Sequence, residues 1–242
     1  MSLLNVERLV ARHGLLEAVR SINLTVEAGE TLAIVGANGA GKTTMLRALA
    51  GAHPIASGRI QLRGEEISTL PAHRRVAKGI ALVPEGRRLF GQMTVEENLL
   101  LARFAGRVGP WTIERVLEAF PNLKNRFRSK CGHLSGGEQQ ATAIGRALMT
   151  NPELLILDEV SLGLSPLVVD QVYVQLTGLM SAGATIILVE QDLTRALSVA
   201  DRVVCMLEGK IVLAGKTSEL SREEVTNAYF GLDRDLGVGG DE

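Results

Sequence analysis

The amino-acid sequence predicts an α/β fold with a mainly parallel β-sheet, a small antiparallel β layer near the N-terminus and a helical insertion in the middle of the chain. Two observations predict it. Short apolar runs typical of buried strands alternate with helical patterns, as in parallel sheets that are covered by helices on both faces. One such run, Thr31–Val35, leads through a glycine-rich loop into a helical pattern over 43–50. The core is therefore expected to begin with a strand, a loop and a helix.

Further strands are expected on both sides of this first unit. Residues 3–9 and 18–26 predict two strands with no helix between them, which favours an antiparallel pair, and 58–62 is expected to join it. Glu208-Gly209 separates two apolar runs and predicts a hairpin. The remaining predicted strands are Ile80–Val83, 154–157, Thr185–Val189, Arg202–Leu207 and 210–214.

The pattern becomes helical in the middle of the chain. Apolar residues recur at helical spacing over 95–102, 113–120 and 136–149, so three helices are expected there. We expect one domain over 1–236. Its expected parts are an α/β core with the antiparallel layer (about 1–87 and 151–215), a helical subdomain (about 88–150), a C-terminal extension (216–236) and, beyond the domain, a glycine-rich flexible tail (237–242).

Length and composition set limits on the class of protein. At 242 residues the chain is long enough for one sizeable α/β domain or two small ones. Hydrophobic residues make up 46% of it, but charged residues, Gly or Pro interrupt each apolar run well before the roughly 18 residues that span a bilayer. Glu7 and Arg8 lie where a signal peptide would have an unbroken apolar stretch. We expect neither a membrane span nor secretion.

Charge and metal-ligand types point away from two other classes of protein. The 26 Lys and Arg are matched by 27 Asp and Glu, so no global positive field favours nucleic acid as a partner. Cys131 and Cys205 lack CxxC spacing and are interpreted as small buried hydrophobes in a reducing cytosol. The four His form no metal-ligand motif, so any metal is expected to arrive with a substrate.

A phosphate-binding loop is predicted directly after the Thr31–Val35 strand. Residues 36–43 fit the pattern of Gly, four residues, Gly, Lys and Ser or Thr, between a strand and a helix. Glycines let backbone N–H groups point at phosphates, and the helix N-terminus adds a favourable dipole. Lys42 would contact the β- and γ-phosphates and Thr43 would bind Mg²⁺. The alternative is an ordinary glycine-rich turn. The expected ATP contacts are Gly36, Ala37, Asn38, Gly39, Ala40, Gly41, Lys42, Thr43 and Thr44.

A second element is the pair Asp158-Glu159, in which two carboxylates follow the apolar strand 154–157. Burying an unpaired carboxylate is expensive, so two of them beside a phosphate loop suggest a Mg²⁺ ligand and a base that orients water. Asp158 fits the first role and Glu159 the second. The alternative is that both begin a solvated loop.

A third element places Ser135, Gly136 and Gly137 at the start of a long helix, which is another potential anion site. Considered locally, Ser135 is better explained as a helix cap, with Glu138 completing a capping box. The combination with the phosphate loop upstream and the carboxylate pair downstream, however, closely resembles the ABC ATPase family over about residues 3–232. The resemblance implies a P-loop (RecA-like) core, ATP and Mg²⁺ as ligands, and a head-to-tail ATPase dimer in which Ser135, Gly136 and Gly137 contact, in trans, the ATP of the other subunit.

The sequence departs from that family's usual pattern at Glu85, Gln191 and Val160; Val160 replaces the Pro that usually follows the catalytic Glu and is assigned no function. Glu85 stands where most members have Gln, and as a carboxylate it can still bind Mg²⁺ or its water. Gln191 stands at the position of the family's switch His; it can hydrogen-bond the γ-phosphate during catalysis but cannot carry a proton. His13 occupies the position of the aromatic residue that stacks on adenine, although a solvent-exposed turn His is an equal alternative.

Several segments resemble one subgroup, the shorter ATPase of the branched-chain amino acid importers. They are 85–90, 93–98, 143–149 and 161–166. The resemblance implies a peripheral subunit on the cytoplasmic face of the inner membrane, a second ATPase subunit as heterodimer partner, with a homodimer possible in isolation, two permeases that dock from Arg87 through the helical insertion, and an external substrate-binding protein that acts indirectly. The alternatives are a urea or short amide importer ATPase and, in another class, a non-transport ABC ATPase. A GTPase lacks support because no Asn-Lys-x-Asp segment occurs.

Overall fold

The computed structural model describes residues 2–105 and 107–232 of the chain. The tail expected over 237–242 lies outside the described residues. The strands in chain order are β1 (Ser2–His13), β2 (Leu16–Glu27), β3 (Thr31–Val35), β4 (Ser57–Leu62), β5 (Glu65–Glu66), β6 (Ile80–Val83), β7 (Leu154–Asp158), β8 (Thr185–Val189), β9 (Arg202–Leu207) and β10 (Lys210–Lys216). The α-helices are α1 (Lys42–Leu49), α2 (Ala72–Lys78), α3 (Val95–Leu101), α4 (Ile113–Ala119), α5 (Gly136–Leu148), α6 (Pro166–Ser181), α7 (Leu193–Val199) and α8 (Arg222–Phe230).

A six-stranded sheet forms the centre of the molecule, in the order β10-β9-β3-β8-β7-β6. All neighbouring strands in it are parallel except β9 and β10, which form the predicted hairpin. Every residue of β3, β7 and β8 is buried because helices cover both faces of the sheet. The predicted α/β fold with a mainly parallel sheet is confirmed.

The second sheet is the predicted antiparallel layer, in the order β2-β1-β4-β5. Strand β1 pairs antiparallel with both β2 and β4. Strands β1 and β2 are each longer than predicted. Both are irregular: the register of their pairing shifts at several points, and Arg8 and Ser21 have positive φ values of 47° and 52°. Such bulges break the apolar alternation on which the prediction relied. The sequence pattern therefore did not show that β1 extends as far as His13.

Between β6 and β7 the chain is helical, as expected. The predicted helices are found as α3, α4 and α5, each within one residue of its expected ends. Three short 3₁₀ segments that the sequence pattern did not indicate connect them: Ala102–Ala105, Pro121–Arg126 and Cys131–His133. Cys131 is buried here and Cys205 is buried in β9, both as free thiols.

A buried arginine joins α1 to α2. The side chain of Arg75 is 2% exposed, and its guanidinium donates hydrogen bonds to the carbonyl oxygens of Ala48 and Leu49 at the end of α1 and of Ser68 and Leu70. Burial lowers the pKa of Arg75 to about 10. The guanidinium therefore satisfies carbonyls at the C-terminal end of α1 that the helix itself cannot satisfy.

Replacing Arg75 with Met should lower the free energy of unfolding by about 3 kcal/mol, because it leaves several buried carbonyls without a donor. Urea unfolding of the purified chain measures this. Arg74→Met is the matched control, since Arg74 is exposed on the same helix and should change stability by less than about 0.5 kcal/mol. Equal unfolding midpoints for the two variants would contradict the assignment.

Candidate functional site

Four loops meet at one edge of the six-stranded sheet. They follow the carboxyl ends of β3, β7, β8 and β6, which lie side by side in the sheet. Ligands of α/β proteins bind at this edge because the loops and helix N-termini there converge on a crevice. The loops carry the predicted phosphate-binding segment after β3, the carboxylate pair at the end of β7, Gln191 after β8 and Glu85 after β6.

The phosphate loop can be built only with glycine at two of its positions. A Cβ on Gly36, whose φ is 152°, would lie 2.2 Å from the carbonyl oxygen of Met206. A Cβ on Gly41, at φ 98°, would lie 2.1 Å from the carbonyl oxygen of Ala18. Both distances are far below van der Waals contact, so the loop keeps its close approach to β9 and β2 only without side chains there. The loop then ends in α1, which begins at Lys42.

Lys42 lies inside the loop rather than on the surface. Its Nζ donates hydrogen bonds to the carbonyl oxygens of Gly36 (2.6 Å) and Ala37 (3.1 Å), and the residue is 4% exposed. Burial lowers the pKa of Lys42, while the negative charges of Glu159 and Asp158 oppose that shift. The ammonium is thus held by the loop at the position where phosphate oxygens would meet it.

Thr43 and Asp158 form the candidate Mg²⁺ site. Thr43 Oγ1 donates to Asp158 Oδ1 over 3.2 Å, whereas Asp158 Oδ2 is buried and has no hydrogen-bond partner among the described residues. Burial raises the pKa of Asp158 to about 6; the Thr43 hydrogen bond opposes the shift, and the charges of Glu159 and Glu85 add to it. A buried carboxylate oxygen without a partner, next to a hydroxyl and further carboxylates, is a donor set that suits Mg²⁺. The residues present therefore fit this metal.

Glu159 and Gln191 are in direct contact. Gln191 Nε2 donates to Glu159 Oε2 at 2.7 Å, and the backbone N–H of Glu159 bonds the carbonyl oxygen of Val189 at the end of β8 (3.1 Å). Glu159 has a φ of 49°, a left-handed conformation that is uncommon for a residue with a side chain. Such strain is often found at functional sites. The amide therefore holds the Glu159 carboxylate at the mouth of the crevice.

His13 lies at the end of β1 and is linked to the phosphate loop. Its Nε2 is 3.1 Å from Thr44 Oγ1, and its ring centroid is 4.6 Å from that of His53. The side chain of Leu16, at the start of β2, is 64% exposed beside it. His13 is exposed, as the alternative expected, but it is the last residue of β1 and not part of a turn, and it lines the same crevice as the phosphate loop. Leu16 was not singled out from the sequence, because an exposed Leu after a turn carries no distinguishing pattern.

These residues line one open groove of about 570 Å³. Three of the lining residues were not predicted, namely Leu16, Ala18 and Leu162. Four predicted residues are next to the groove but do not line it. Gly36 and Ala37 hold the Lys42 ammonium with their carbonyl oxygens, Ala40 is buried, and Asp158 is bonded to Thr43, which does line the groove. The predicted residues that do line the groove are His13, Asn38, Gly39, Gly41, Lys42, Thr43, Thr44, Glu85, Glu159 and Gln191.

The Ser135, Gly136 and Gly137 segment does not line this groove. It forms the N-terminus of α5, where Ser135 Oγ accepts from the N–H of Glu138 and Glu138 Oε2 accepts from the N–H of Ser135, so the predicted capping box is present. A Cβ on Gly136 would lie 2.7 Å from Leu164 Cδ2. Within one chain, the segment therefore packs against 161–166 and makes no part of the phosphate-binding groove.

Comparison with known proteins gives one consistent picture. Residues 19–161 match the ABC transporter family. The chain is 42% identical to the high-affinity branched-chain amino acid transport ATP-binding protein BraG of Pseudomonas aeruginosa, over 95% of this chain and 100% of that protein. It is 34% identical to the probable branched-chain amino acid transport ATP-binding protein LivF of Archaeoglobus fulgidus, over 92% of this chain and 95% of that protein.

A solved structure agrees with these sequence relatives. The crystal structure of the ADP conformation of an ATP-binding cassette of an ABC transporter superposes with a TM-score of 0.81 at 26% identity, and the match covers 98% of this chain and 99% of that one. The predicted core fold is therefore that of an ATP-binding cassette. Together with the sequence matches, this shows that the chain belongs to the ABC transporter family, among its ATP-binding subunits.

Proposed function

We propose that the chain is the ATP-hydrolysing motor subunit of an ABC importer, and that the cargo of the importer is branched-chain amino acids. The groove at the carboxyl edge of the sheet carries the first part of this proposal, the hydrolysis of ATP. It combines a phosphate loop with a buried Lys42, a buried carboxylate with one oxygen without a partner, and a second carboxylate, Glu159, held at the mouth of the groove. These are the groups that ATP hydrolysis requires.

Each group has a distinct part in the proposed hydrolysis. Lys42 and the backbone N–H groups of the loop bind the phosphates of ATP. Thr43 and Asp158, with Glu85 nearby, would hold Mg²⁺, which neutralises charge that develops on the phosphates. Glu159 orients the attacking water and accepts its proton.

Two further side chains act at the ends of the nucleotide. Gln191 holds the Glu159 carboxylate and can donate to the γ-phosphate, but its amide cannot transfer a proton. We expect hydrolysis at this site to be slower for that reason than at a site with a switch His. At the other end, His13 and the neighbouring Leu16 present an imidazole face and an apolar side chain on which adenine could stack.

The second half of the ATP site is proposed to come from another ATPase subunit. The groove is open to solvent, and Ser135 is exposed at the N-terminus of α5, away from the chain's own phosphate loop. A head-to-tail pair would bring Ser135, Gly136 and Gly137 of one subunit to the ATP of the other. We propose a heterodimer in the transporter, with a homodimer possible for the isolated chain.

The permeases are proposed to dock beside the segment that follows Glu85. Arg87 links this segment to α5, because its guanidinium donates to Gln139 Oε1 (3.1 Å) and Gln140 Oε1 (3.3 Å). Next to it is a groove of about 400 Å³ between α3, α5 and β6, at whose rim Phe90 is 55% exposed. An exposed aromatic beside a groove is typical of a protein contact. A solvated face is the alternative for the charged residues around it.

The location in the cell and the domain division follow from the same proposal. Among the described helices, each is too short or too polar to cross a bilayer. We propose a peripheral subunit on the cytoplasmic face of the inner membrane, with an external substrate-binding protein acting only through the permeases.

We also propose one ATPase domain over 1–236, with 88–150 as its helical subdomain and 216–236 as a C-terminal extension.

The branched-chain cargo is supported by resemblance and not by any residue that would touch it. BraG and LivF carry branched-chain amino acid transport in their names. In the motor, closure around ATP supplies the displacement whatever is carried, so no residue of this chain need contact leucine, isoleucine or valine. Cargo therefore has to be tested by transport.

Deleting the gene should abolish ATP-driven uptake of labelled leucine, isoleucine and valine, because the permeases then lack their motor. Uptake of labelled urea, measured in parallel, should be unchanged. Complementation with the wild-type gene should restore leucine uptake, and the Lys42→Ala gene should not. Loss of urea uptake with leucine uptake spared would instead identify a urea or short amide importer, and leucine uptake that survives in a strain without a second importer would overturn the cargo.

A further inference from the structure

Two side-chain hydrogen bonds join the loops that follow β7 and β8, and each loop donates one of them. The loop after β8 donates through Gln191 Nε2 to Glu159 Oε2 (2.7 Å), and the loop after β7 donates through Ser161 Oγ to Glu190 Oε2 (2.7 Å). The proposed hydrolysis uses the first of these bonds. It leaves the second, and the carboxyl group of Glu190, without a role.

Glu190 is the buried member of this set. It is 1% exposed, and its backbone N–H bonds the carbonyl oxygen of Ile34 in β3 (3.3 Å). Burial raises the pKa of Glu190, while the hydrogen bond from Ser161 opposes the shift. Burying a carboxyl group is costly, and an apolar side chain of similar size would fill the same space at lower cost. The position of Glu190 therefore suggests a purpose other than packing.

The Glu190 carboxyl group also lies next to the hydroxyl of Tyr173 on α6. Glu190 Oε1 and this hydroxyl are both buried, and neither has a hydrogen-bond partner within 3.5 Å among the described residues. The two groups are close enough to affect each other: burial and then the charge of Glu190 raise the pKa of Tyr173, and the Tyr173 hydroxyl opposes the rise that burial causes in the pKa of Glu190. Few buried polar groups in native proteins lack partners, and those that do often have a functional reason. A residue kept only for stability would be expected to make a well-formed hydrogen bond at this position.

Ser161 connects Glu190 to the groove and to the start of α5. It begins the segment 161–166, in which Leu162 lines the nucleotide groove and Leu164 packs against Gly136 at the start of α5. A shift of Ser161 would therefore move one wall of the groove and the contact with α5. The Ser161–Glu190 bond fixes this segment to the residue adjacent to Gln191.

We propose that Glu190 is a positioning residue for ATP hydrolysis: by accepting the Ser161 hydroxyl it fixes segment 161–166 against the loop after β8 and so holds Gln191 against Glu159. This inference rests on the proposed hydrolysis of ATP at the groove. Glu190 itself does not line the groove. Its loss should slow the chemical step and leave ATP binding unchanged, because the phosphate loop does not depend on it.

The test uses the transporter complex purified from its native membrane by a tag on this chain. The Glu159→Gln complex gives the floor of ATP turnover that comes from any other site. Above that floor, Glu190→Ala should lower kcat about 10- to 100-fold, the range expected for a displaced catalytic group, with KM for ATP changed by less than about 2-fold. Glu190→Gln should retain most of the activity, since its amide oxygen can still accept from Ser161.

Two further variants separate positioning from stability. Ser161→Ala should lower kcat as Glu190→Ala does, and the double variant should be no slower than either single variant, because both remove the same bond. Thr185→Val is the matched control: Thr185 is buried at the opposite end of β8 and accepts from the N–H of Gly29 (2.9 Å). It should lower the melting temperature by a similar amount without changing kcat.

The outcomes are distinct. If Glu190→Ala and Ser161→Ala change only the melting temperature, as Thr185→Val does, or if their effects on kcat are additive, the inference is wrong. If Glu190→Ala does not fold, Ser161→Ala and Glu190→Gln decide by the same criteria. If the wild-type complex shows no turnover above the Glu159→Gln floor, the proposed hydrolysis at this groove is itself wrong and the inference falls with it.

Discussion

Glu159→Gln should slow ATP turnover by a factor on the order of 10² to 10⁴, the usual contribution of a general base. The amide has nearly the shape of the carboxylate and can still accept the hydrogen bond from Gln191, so the loop should keep its geometry. What it loses is the ability to take a proton from water. Nucleotide binding should remain, because Lys42 and Thr43 are untouched, and a pair of subunits stabilised by uncleaved ATP should accumulate.

Turnover, nucleotide affinity and oligomeric state of the purified complex check this expectation. Glu153→Gln is the matched control, because Glu153 precedes the opposite end of the same strand, β7, and pairs with Arg63 and Arg107 at the surface. It should leave turnover unchanged. Turnover of Glu159→Gln close to that of the wild type would remove Glu159 from the role of base.

The parts of the fold that the sequence predicted well are those that one continuous segment determines. Thr31–Val35 is buried throughout and apolar after its first residue because helices cover both faces of its sheet, and the same holds for Thr185–Val189. The glycines of the phosphate loop are recognised from a pattern within residues 36–43, although the contacts that demand glycine there come from Met206 and Ala18. Both features could therefore be found without knowing what lies next to them.

The features that the sequence did not predict depend on contacts between distant segments. In the sequence, Arg75 resembles any other charged residue of an exposed helix. Only the tertiary structure shows that α1 and residues 68–70 surround it. The Ser161–Glu190 bond likewise joins loops on two different strands, and neither residue type indicates its partner. The bulges in β1 break the alternation of its apolar residues, so the sequence did not show that this strand ends at His13. The apolar pattern and the residue propensities of a segment indicate which of its own residues are buried. Contacts between distant segments can be found only from the tertiary structure.

The Ser135 segment illustrates a third situation. Its capping box was predicted from the sequence because Ser and Glu at that spacing satisfy each other's backbone groups, and the structure confirms it. The same residues are proposed to contact ATP in trans. That role depends on a second subunit, so neither the local pattern nor the fold of one chain determines it.

Lys42→Ala should lower the affinity for Mg-ATP by a factor of at least about 100, because charge-assisted hydrogen bonds to phosphate oxygens contribute about 1.5–3 kcal/mol each. Since Lys42 is buried and bonds the carbonyl oxygens of Gly36 and Ala37, the Ala variant could also loosen the loop. Lys42→Met separates the two effects, because it keeps the aliphatic stem and removes only the charge. It should lose nearly as much affinity as Lys42→Ala.

Calorimetric titration with Mg-ATP measures these affinities, and the melting temperature of each variant reports whether the fold is intact. Lys78→Ala is the matched control: Lys78 is on α2 and its ammonium bonds Glu65 at 2.5 Å, away from the groove. A surface ion pair contributes at most about 1 kcal/mol to stability and should not affect nucleotide binding. If Lys42→Met bound Mg-ATP as tightly as Lys78→Ala, the loop after β3 would not be the phosphate site. The groove would then need another cation to meet the phosphates, and among the residues that line it Lys42 is the only Lys or Arg.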